Sequence, residues 1–244
     1  MLAVRLHPNG LKVEEVETPS PRPGDVLVRV RAAAITRDEL EWPADRLPAI
    51  PSYELSGVVV EGGEEVYALT PFDRDGVAAE YAAVPAAVLA PKPARLGHVE
   101  AAALPMGGLT AWQALFVHGR LLRGERVLVT GASGGVGHIA VQLARQAGAK
   151  VVESELADLV FDTAGGELPA GERVVTIAAE APGATYFVVD PAGEQLRKLA
   201  RLADAGELRP AVDSVFPLAE AQAAFARVAA RGKRGKVVLA VSGR

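Results

Sequence analysis

The chain has 244 residues, 50% of them hydrophobic and 23% charged, with 26 basic against 30 acidic side chains, a net charge of -4 and a mean hydropathy of +0.19. These values exclude a disordered or fibrous chain and give no global reason to bind nucleic acid or an anionic membrane. No apolar run reaches membrane-spanning length, the first residues enter a strand pattern rather than a signal peptide, and the chain has no cysteine for a disulfide, thiolate zinc site or nucleophile. The expectation is a soluble cytoplasmic protein that binds neither nucleic acid nor membrane.

The first third reads as β-rich: AVRL, LKVEEVE, DVLVRVRAAAIT and ELSGVVVE alternate or run in β-branched residues between Pro and Gly turns such as PSPRPGD. Residues 78–94 are Ala-rich and broken by Pro85, Pro91 and Pro93, yet alternate enough for strand and loop. A helical pattern then starts near Glu100 and leads into LPMGGLTAWQALF. RVLVT (126–130) is a continuous apolar strand of the kind a parallel sheet buries on both faces. After a glycine turn, Val136, Ile139, Ala140, Leu143 and Ala147 recur at helical spacing up to Gly148. DLVFDT (158–163), RVVTIAA (173–179) and TYFVV (185–189) predict further buried strands, and QLRKLARLADAG (195–206) an amphipathic helix that stops at Gly206. The tail, FPLAEAQAAFARVAARGKRGKVVLAV, predicts a helix and then a strand that packs back on the first domain.

The segment VLVTGASGGVGHIAVQLARQAGAKVV is the most informative. A strand running into Gly131, Gly134, Gly135 and Gly137 and then into a helix permits a tight turn and close approach of a pyrophosphate. The helix start offers it free N–H groups and a positive dipole end. Ser133 stands where the strict dinucleotide fingerprint has its second glycine, so a turn that serves packing alone is the competing reading. His138 either faces such a phosphate or is a solvent-facing helical residue. His7, His98, His118 and His138 are scattered and no carboxylate–histidine cluster has ligand spacing, so no metal is expected.

This segment resembles the glycine turn of the zinc-free medium-chain dehydrogenase/reductases, in their quinone-oxidoreductase and enoyl-reductase branch. PSYELSGVVVE, EYAAVPAAVLAPKP, VEAAALPMGGLTAWQAL, LVFDTAGGE, RVVTIAA, VFPLAEAQAAF and RGKVVLAV follow in that family's order over nearly the whole chain. The resemblance implies an α/β chain: a GroES-like β-rich domain (1–96, completed by 211–244) and a reduced Rossmann-type domain (97–210), with the active cleft between them. It departs from the family after AGAKVV, where relatives have a second strand, a helix, a third strand and another crossover. Here Val152 and Leu159 are separated only by ESELAD. Two parallel strands of a sheet need a crossover of about a dozen residues, so KVV is not expected to be a full strand that crosses to LVFDT, and part of the adenosine edge reads as lost. The links ELPAGE and AEAPGATYF, and GGEEVYALTPF in the first domain, are shortened too.

By the resemblance, Ser133, Gly134, Gly135 and Val136 would hold the pyrophosphate, and Thr110 would contact it or the nicotinamide ribose. Thr163 to Gly165, Ile177, Ala178, Phe187 and Val188 would line the nicotinamide wall. Each of these also has a plain role in packing. Glu153 or Glu155 lies roughly 20 residues past the glycines, where a ribose 2′-OH is bonded in dinucleotide sites; a solvated loop is the plainer account. Only Lys150 is near to take a 2′-phosphate, so NADH is less disfavoured than in the NADPH-preferring relatives; NADPH or NADH is the expected cofactor, and binding of neither is the remaining alternative. On the substrate side Thr36 and Glu39 match positions where relatives carry asparagine and aspartate, and Trp42 and Tyr53 add an aromatic wall. Glu39 and Tyr53 are the proton donor or acceptor candidates, although an isolated glutamate here reads as a surface residue and the tyrosine as half-buried.

The expected function is therefore reduction of a quinone, enone or enoyl-type carbonyl substrate by an NAD(P)H-dependent, zinc-independent oxidoreductase. The alternatives are a cofactor-free cyclase, isomerase or hydro-lyase using Glu39, Tyr53 or Glu54, and a catalytically silent binding protein. Relatives pair through an edge strand of the nucleotide sheet, which makes TYFVV the candidate homodimer contact.

Overall fold

The computed structural model describes residues 1–42, 47–153 and 156–241. The chain divides into two compact units, Met1–Pro105 with Pro191–Asp204 and Pro210–Arg244, and Met106–Asp190 with Ala205–Arg209.

The first unit opens with a hairpin, β1 (Leu2–His7) and β2 (Gly10–Glu15). Its main sheet is organised by β3 (Asp25–Ile35), with β4 (Glu54–Val59), β5 (Glu65–Leu69), β6 (Tyr81–Pro85) and β7 (Ala90–Pro91). After the short α1 (His98–Ala102), the later chain returns to this unit as α4 (Gly193–Ala205), β13 (Val212–Pro217), α5 (Ala221–Ala229) and β14 (Lys236–Ala240). The strand order is β13-β14-β3-β4-β5-β7, and β6 pairs with the first half of β3 while β14 pairs with its second half. The run AAAI within β3 is buried throughout because both faces are covered: Ala33 and Ile35 join the main core with Phe225 and Leu239, while Ala32 and Ala34 pack with Ala102, Ala103 and Val238. The tail thus returns to the sheet of the first unit, where β14 pairs with β3.

The second unit contributes the strands β8 (Arg126–Val129), β9 (Lys150–Val152), β10 (Ala157–Asp162), β11 (Gly171–Thr176) and β12 (Thr185–Tyr186). They form a five-stranded, all-parallel Rossmann-like sheet in the order β12-β11-β10-β8-β9. The helix α2 (Pro105–Trp112) runs into a π-helical turn, Gln113–His118, and α3 (Gly137–Gln146) follows the glycine turn with Ile139, Ala140, Leu143 and Ala144 buried.

Two expectations are corrected. KVV is a strand: β9 pairs in parallel with β8, and β10 lies on the other side of β8. The four-residue link 153–156 can span roughly 17 Å if extended, against about 14 Å for two strand spacings across and three residues back along the strands. The dozen-residue rule counts a crossover that carries a helix, and the distance from the end of a three-residue strand is short enough for four residues. TYFVV is not a buried five-residue strand, since only Thr185 and Tyr186 pair and both are exposed. No helix among the described residues is long and apolar enough to cross a membrane.

Candidate active site

Three neighbouring strands of the first unit carry polar side chains to one place. Val237 on β14 lies opposite Ile35, which sets Lys236 beside Thr36, and β4 sets Glu54 opposite Ala34. Lys236 Nζ donates to Thr36 Oγ1 at 2.9 Å and forms an ion pair with Glu54 Oε1. The Thr36 hydroxyl donates to the same Glu54 oxygen at 3.2 Å. Glu54 is fully buried and Lys236 only 6% exposed.

Glu39 closes the other flank. Its two oxygens accept the backbone N–H groups of Thr36 at 2.9 Å and Ser52 at 3.0 Å, tying the end of β3 to the segment that enters β4. It is 7% exposed, which corrects the surface reading; the tie to two backbone donors holds it inside. Burial pushes its carboxyl up from 4.5 to about 8, helped by the charge of Glu54 and opposed by the two backbone donors and Lys236. Between these values the folded state holds a proton that the unfolded chain has released, so stability falls as pH rises through that window. The expected loss is about 2 kcal/mol between pH 5.5 and 7, since one pH unit is worth about 1.4 kcal/mol. Urea midpoints of wild type and Glu39→Gln at the two pH values check this, and an equal slope in both proteins rejects it.

Beside this cluster stands an aromatic wall. Trp42 stacks on Tyr53 at 5.9 Å between centroids, and Phe72 meets both edge-on, at 5.5 Å and 5.1 Å.

In the second unit the candidate cofactor residues gather at the C-terminal ends of β8, β10 and β11. Gly131 adopts φ 64°, and a Cβ there would lie 2.5 Å from Thr163 Oγ1. Gly137 packs so tightly that its Cβ would lie 2.2 Å from Gly131 O, which seats the start of α3 on the turn. Gly134 N–H donates to Gly131 O at 2.8 Å, while among the described residues the N–H groups of Gly135 and Val136 have no protein acceptor. A Cβ on Gly135 would meet nothing within 4 Å. The turn therefore offers free donors and open space next to Ser133, which is exposed. His138 Nδ1 lies 2.8 Å from Gly134 O, so the ring braces the turn. Gly107 on α2 abuts Gly135 O, and Thr110 lies buried one turn further along that helix.

Thr163, Gly165, Ile177 and Ala178 are brought together around Asp162. Its Oδ1 accepts from Thr130 Oγ1 at 2.5 Å, Ala164 N at 3.2 Å and Gly165 N at 3.1 Å, and its Oδ2 from Thr176 Oγ1 at 2.8 Å. Ile177 N–H reaches Asp162 O, and a Cβ on Gly165 would lie 3.2 Å from that of Ala178. Phe187 and Val188 diverge: the Phe187 ring packs on His118 at 4.4 Å, whereas Val188 is 62% exposed. Glu153 and Lys150 are exposed, and Glu155 lies outside the described residues.

Residues 22–94 match the alcohol dehydrogenase GroES-like domain and residues 135–239 the zinc-binding dehydrogenase family. A probable zinc-binding oxidoreductase of Arthroderma benhamiae is 30% identical over 95% of this chain and 93% of its own length. The chain belongs to the medium-chain dehydrogenase/reductase superfamily. Within it, the quinone-oxidoreductase-like branch of NAD(P)H-dependent quinone and alkenal reductases is the match. An NADPH-dependent alkenal/one oxidoreductase of Arabidopsis thaliana is 29% identical over 94% of this chain and 75% of its own. The quinone oxidoreductase from Thermus thermophilus, solved also with NADPH, is 33% identical with a TM-score of 0.83, covering 98% of this chain and 100% of that one.

Three positions of the candidate site escape the sequence reading. Lys236 leads an otherwise apolar strand, KVVLA, and a lysine opening a buried run was the available signal. Asp162 closes the apolar strand ADLVFD in the same way. Phe72 has no local signal, because it joins Trp42 and Tyr53 only in the folded unit.

Proposed function

We propose that this chain is a zinc-independent, NAD(P)H-dependent reductase of a quinone, enone or enoyl-type carbonyl compound. The observation that carries this reading is the glycine turn, where the free N–H groups of Gly135 and Val136 stand beside a position at which a Cβ would meet nothing. These residues fit a pyrophosphate. A bound nicotinamide supplies the hydride. Ser133, Gly134, Gly135 and Val136 would hold the phosphates, Thr110 would back them from α2, and Thr163, Gly165, Ile177 and Ala178 would form the wall, to which Phe187, turned onto His118, and the exposed Val188 are not drawn. Thr36 and Glu39 shape the substrate side, since Glu39 Oε1 and Oε2 each accept a backbone N–H and the Thr36 hydroxyl is engaged by Glu54 and Lys236. Tyr53, in its aromatic wall, is the proton donor to the reduced carbonyl compound. The lack of any cysteine, which removes thiolate ligands, supports the zinc-independent part of this reading.

Titrating the protein with NADPH and with NADH, followed by nicotinamide fluorescence, tests this. Saturable binding is expected, weakened at least tenfold, or about 1.4 kcal/mol, by Gly135→Asp. That substitution meets open space, so the fold survives it. Absence of saturable binding with either nucleotide removes the reductase. A cofactor-free acid–base enzyme is the second reading, favoured by a sheet that ends at the three-residue β9 and by an alignment of 313 positions, longer than the chain itself. Under either reading we propose a shortened adenosine side, a cytoplasmic location, and a homodimer through the TYFVV segment, whose edge at Thr185 and Tyr186 is exposed.

A further inference from the structure

A cavity of about 300 Å³ lies wholly within the first unit, and no residue of the glycine turn or of the Thr36–Glu54–Lys236 cluster lines it. Arg74 stands in its wall. Its Nη1 donates to Asp25 Oδ2 at 3.0 Å and towards Ala83 O at 3.5 Å, and the Asp25 side chain is only 6% exposed. The opposite edge of the guanidinium is unused: Nε is buried without a partner, and no described group accepts from Nη2. That edge is the fork which grips two oxygens of a carboxylate or phosphate, and a buried N–H without an acceptor is rare in folded proteins.

The loop that presents Arg74 is fixed. Gly76 N–H donates to Ile50 O and Val77 N–H to Ser52 O, both at 2.7 Å, and Asp75 Oδ1 accepts the Ile50 N–H at 3.2 Å. Gly76 runs so close to this segment that a Cβ would lie 2.0 Å from Ser52 O. The loop backbone is therefore preorganised, and what a ligand has still to move is the Arg74 side chain, whose Nε is sealed in the free fold.

The lining carries Arg5, Arg22, Arg74 and the Met1 ammonium against Glu17, Asp25 and Asp75, with Glu14 paired to Arg5. Arg5 is engaged by Glu14 and Pro48 O, Asp25 by Arg74, and Asp75 by the Ile50 amide. Arg22, also in the wall, has no side-chain partner among the described residues. We propose that this cavity binds a small oxyanion-bearing metabolite, a carboxylate or a phosphate ester, with Arg74 Nε and Nη2 as the bidentate contact and Arg22 as the second cation. The site does not depend on the reductase reading.

Isothermal titration of the full chain with succinate and with inorganic phosphate, at fixed ionic strength, tests it in wild type, Arg74→Lys, Arg22→Ala and Gly135→Asp. Arg74→Lys keeps a cation for Asp25 but removes the fork; Arg22→Ala alters an exposed residue and leaves the fold intact. Saturable binding of at least one probe is expected, weakened roughly tenfold in Arg74→Lys, several-fold in Arg22→Ala, and unchanged in Gly135→Asp. A response to succinate alone assigns a carboxylic acid, and a response to phosphate alone a phosphate ester. Absence of saturable heat with both probes overturns the proposal. So does binding that survives Arg74→Lys and Arg22→Ala, or binding lost only in Gly135→Asp, which would place the anion on the glycine turn.

Discussion

Replacing Lys236 with methionine is expected to lower the free energy of unfolding by about 3–5 kcal/mol, because it takes the Lys236 ammonium away from a buried carboxylate. Glu54 is fully buried and takes its cation from Lys236 and a further donor from Thr36. Methionine keeps the apolar stem of the lysine but can neither neutralise Glu54 nor donate to the Thr36 hydroxyl. Removing the charge from the other partner should reverse much of the loss. Glu54→Gln in the Lys236→Met background leaves a neutral amide that still accepts from Thr36, so the double variant is expected to be more stable than Lys236→Met alone. Urea unfolding of the four proteins in the cycle measures the coupling directly. If the single and double variants lie within about 1 kcal/mol of each other and of wild type, the pair is not the electrostatic anchor of this region.

That pair also marks where legibility ended. Local pattern sufficed for β3, β8, α3 and α4, since alternation, a continuous apolar run or helical spacing lies within a single segment. Ordered family motifs extended this to the two-part architecture and to the glycine turn, where each glycine's conformation is a short-range property. The Lys236–Glu54 pair joins residues 182 apart, and its existence depends on β14 pairing with β3 and β3 with β4 in particular registers. No spacing rule in the sequence reports that. Glu39 was misread for a related reason: a polar residue in a polar segment reads as exposed until the backbone donors of Thr36 and Ser52 are seen to surround it. β9 failed differently, because a rule calibrated on helical crossovers was applied to a link that only has to reach.

Asp162→Ala is expected to cost about 3–4 kcal/mol of stability and to weaken nicotinamide nucleotide binding along with it, because one carboxylate organises three strand ends. Thr130 from β8, Thr176 from β11 and the amides of Ala164 and Gly165 all donate to it, and alanine would orphan every one of these groups. Asp162→Asn keeps one accepting oxygen and should cost about 1–2 kcal/mol. Acid should narrow these differences. Burial pushes the Asp162 carboxyl up, yet the donors from Thr130, Thr176, Ala164 and Gly165 outweigh it and hold the group below the usual 3.8. A depressed folded value means stability that is present above the unfolded value and lost as pH falls through the folded one. Urea midpoints at neutral pH and near pH 3 therefore separate an electrostatic hub from simple packing: a hub loses its advantage over Asp162→Ala in acid, whereas packing keeps it. Nucleotide affinity supplies the second readout. Thr163, Gly165 and Ala178 hang on Asp162 or its immediate partners. If Asp162→Asn folds as wild type yet binds the nucleotide more weakly, the carboxylate positions the wall. Unchanged binding would confine Asp162 to holding the sheet together.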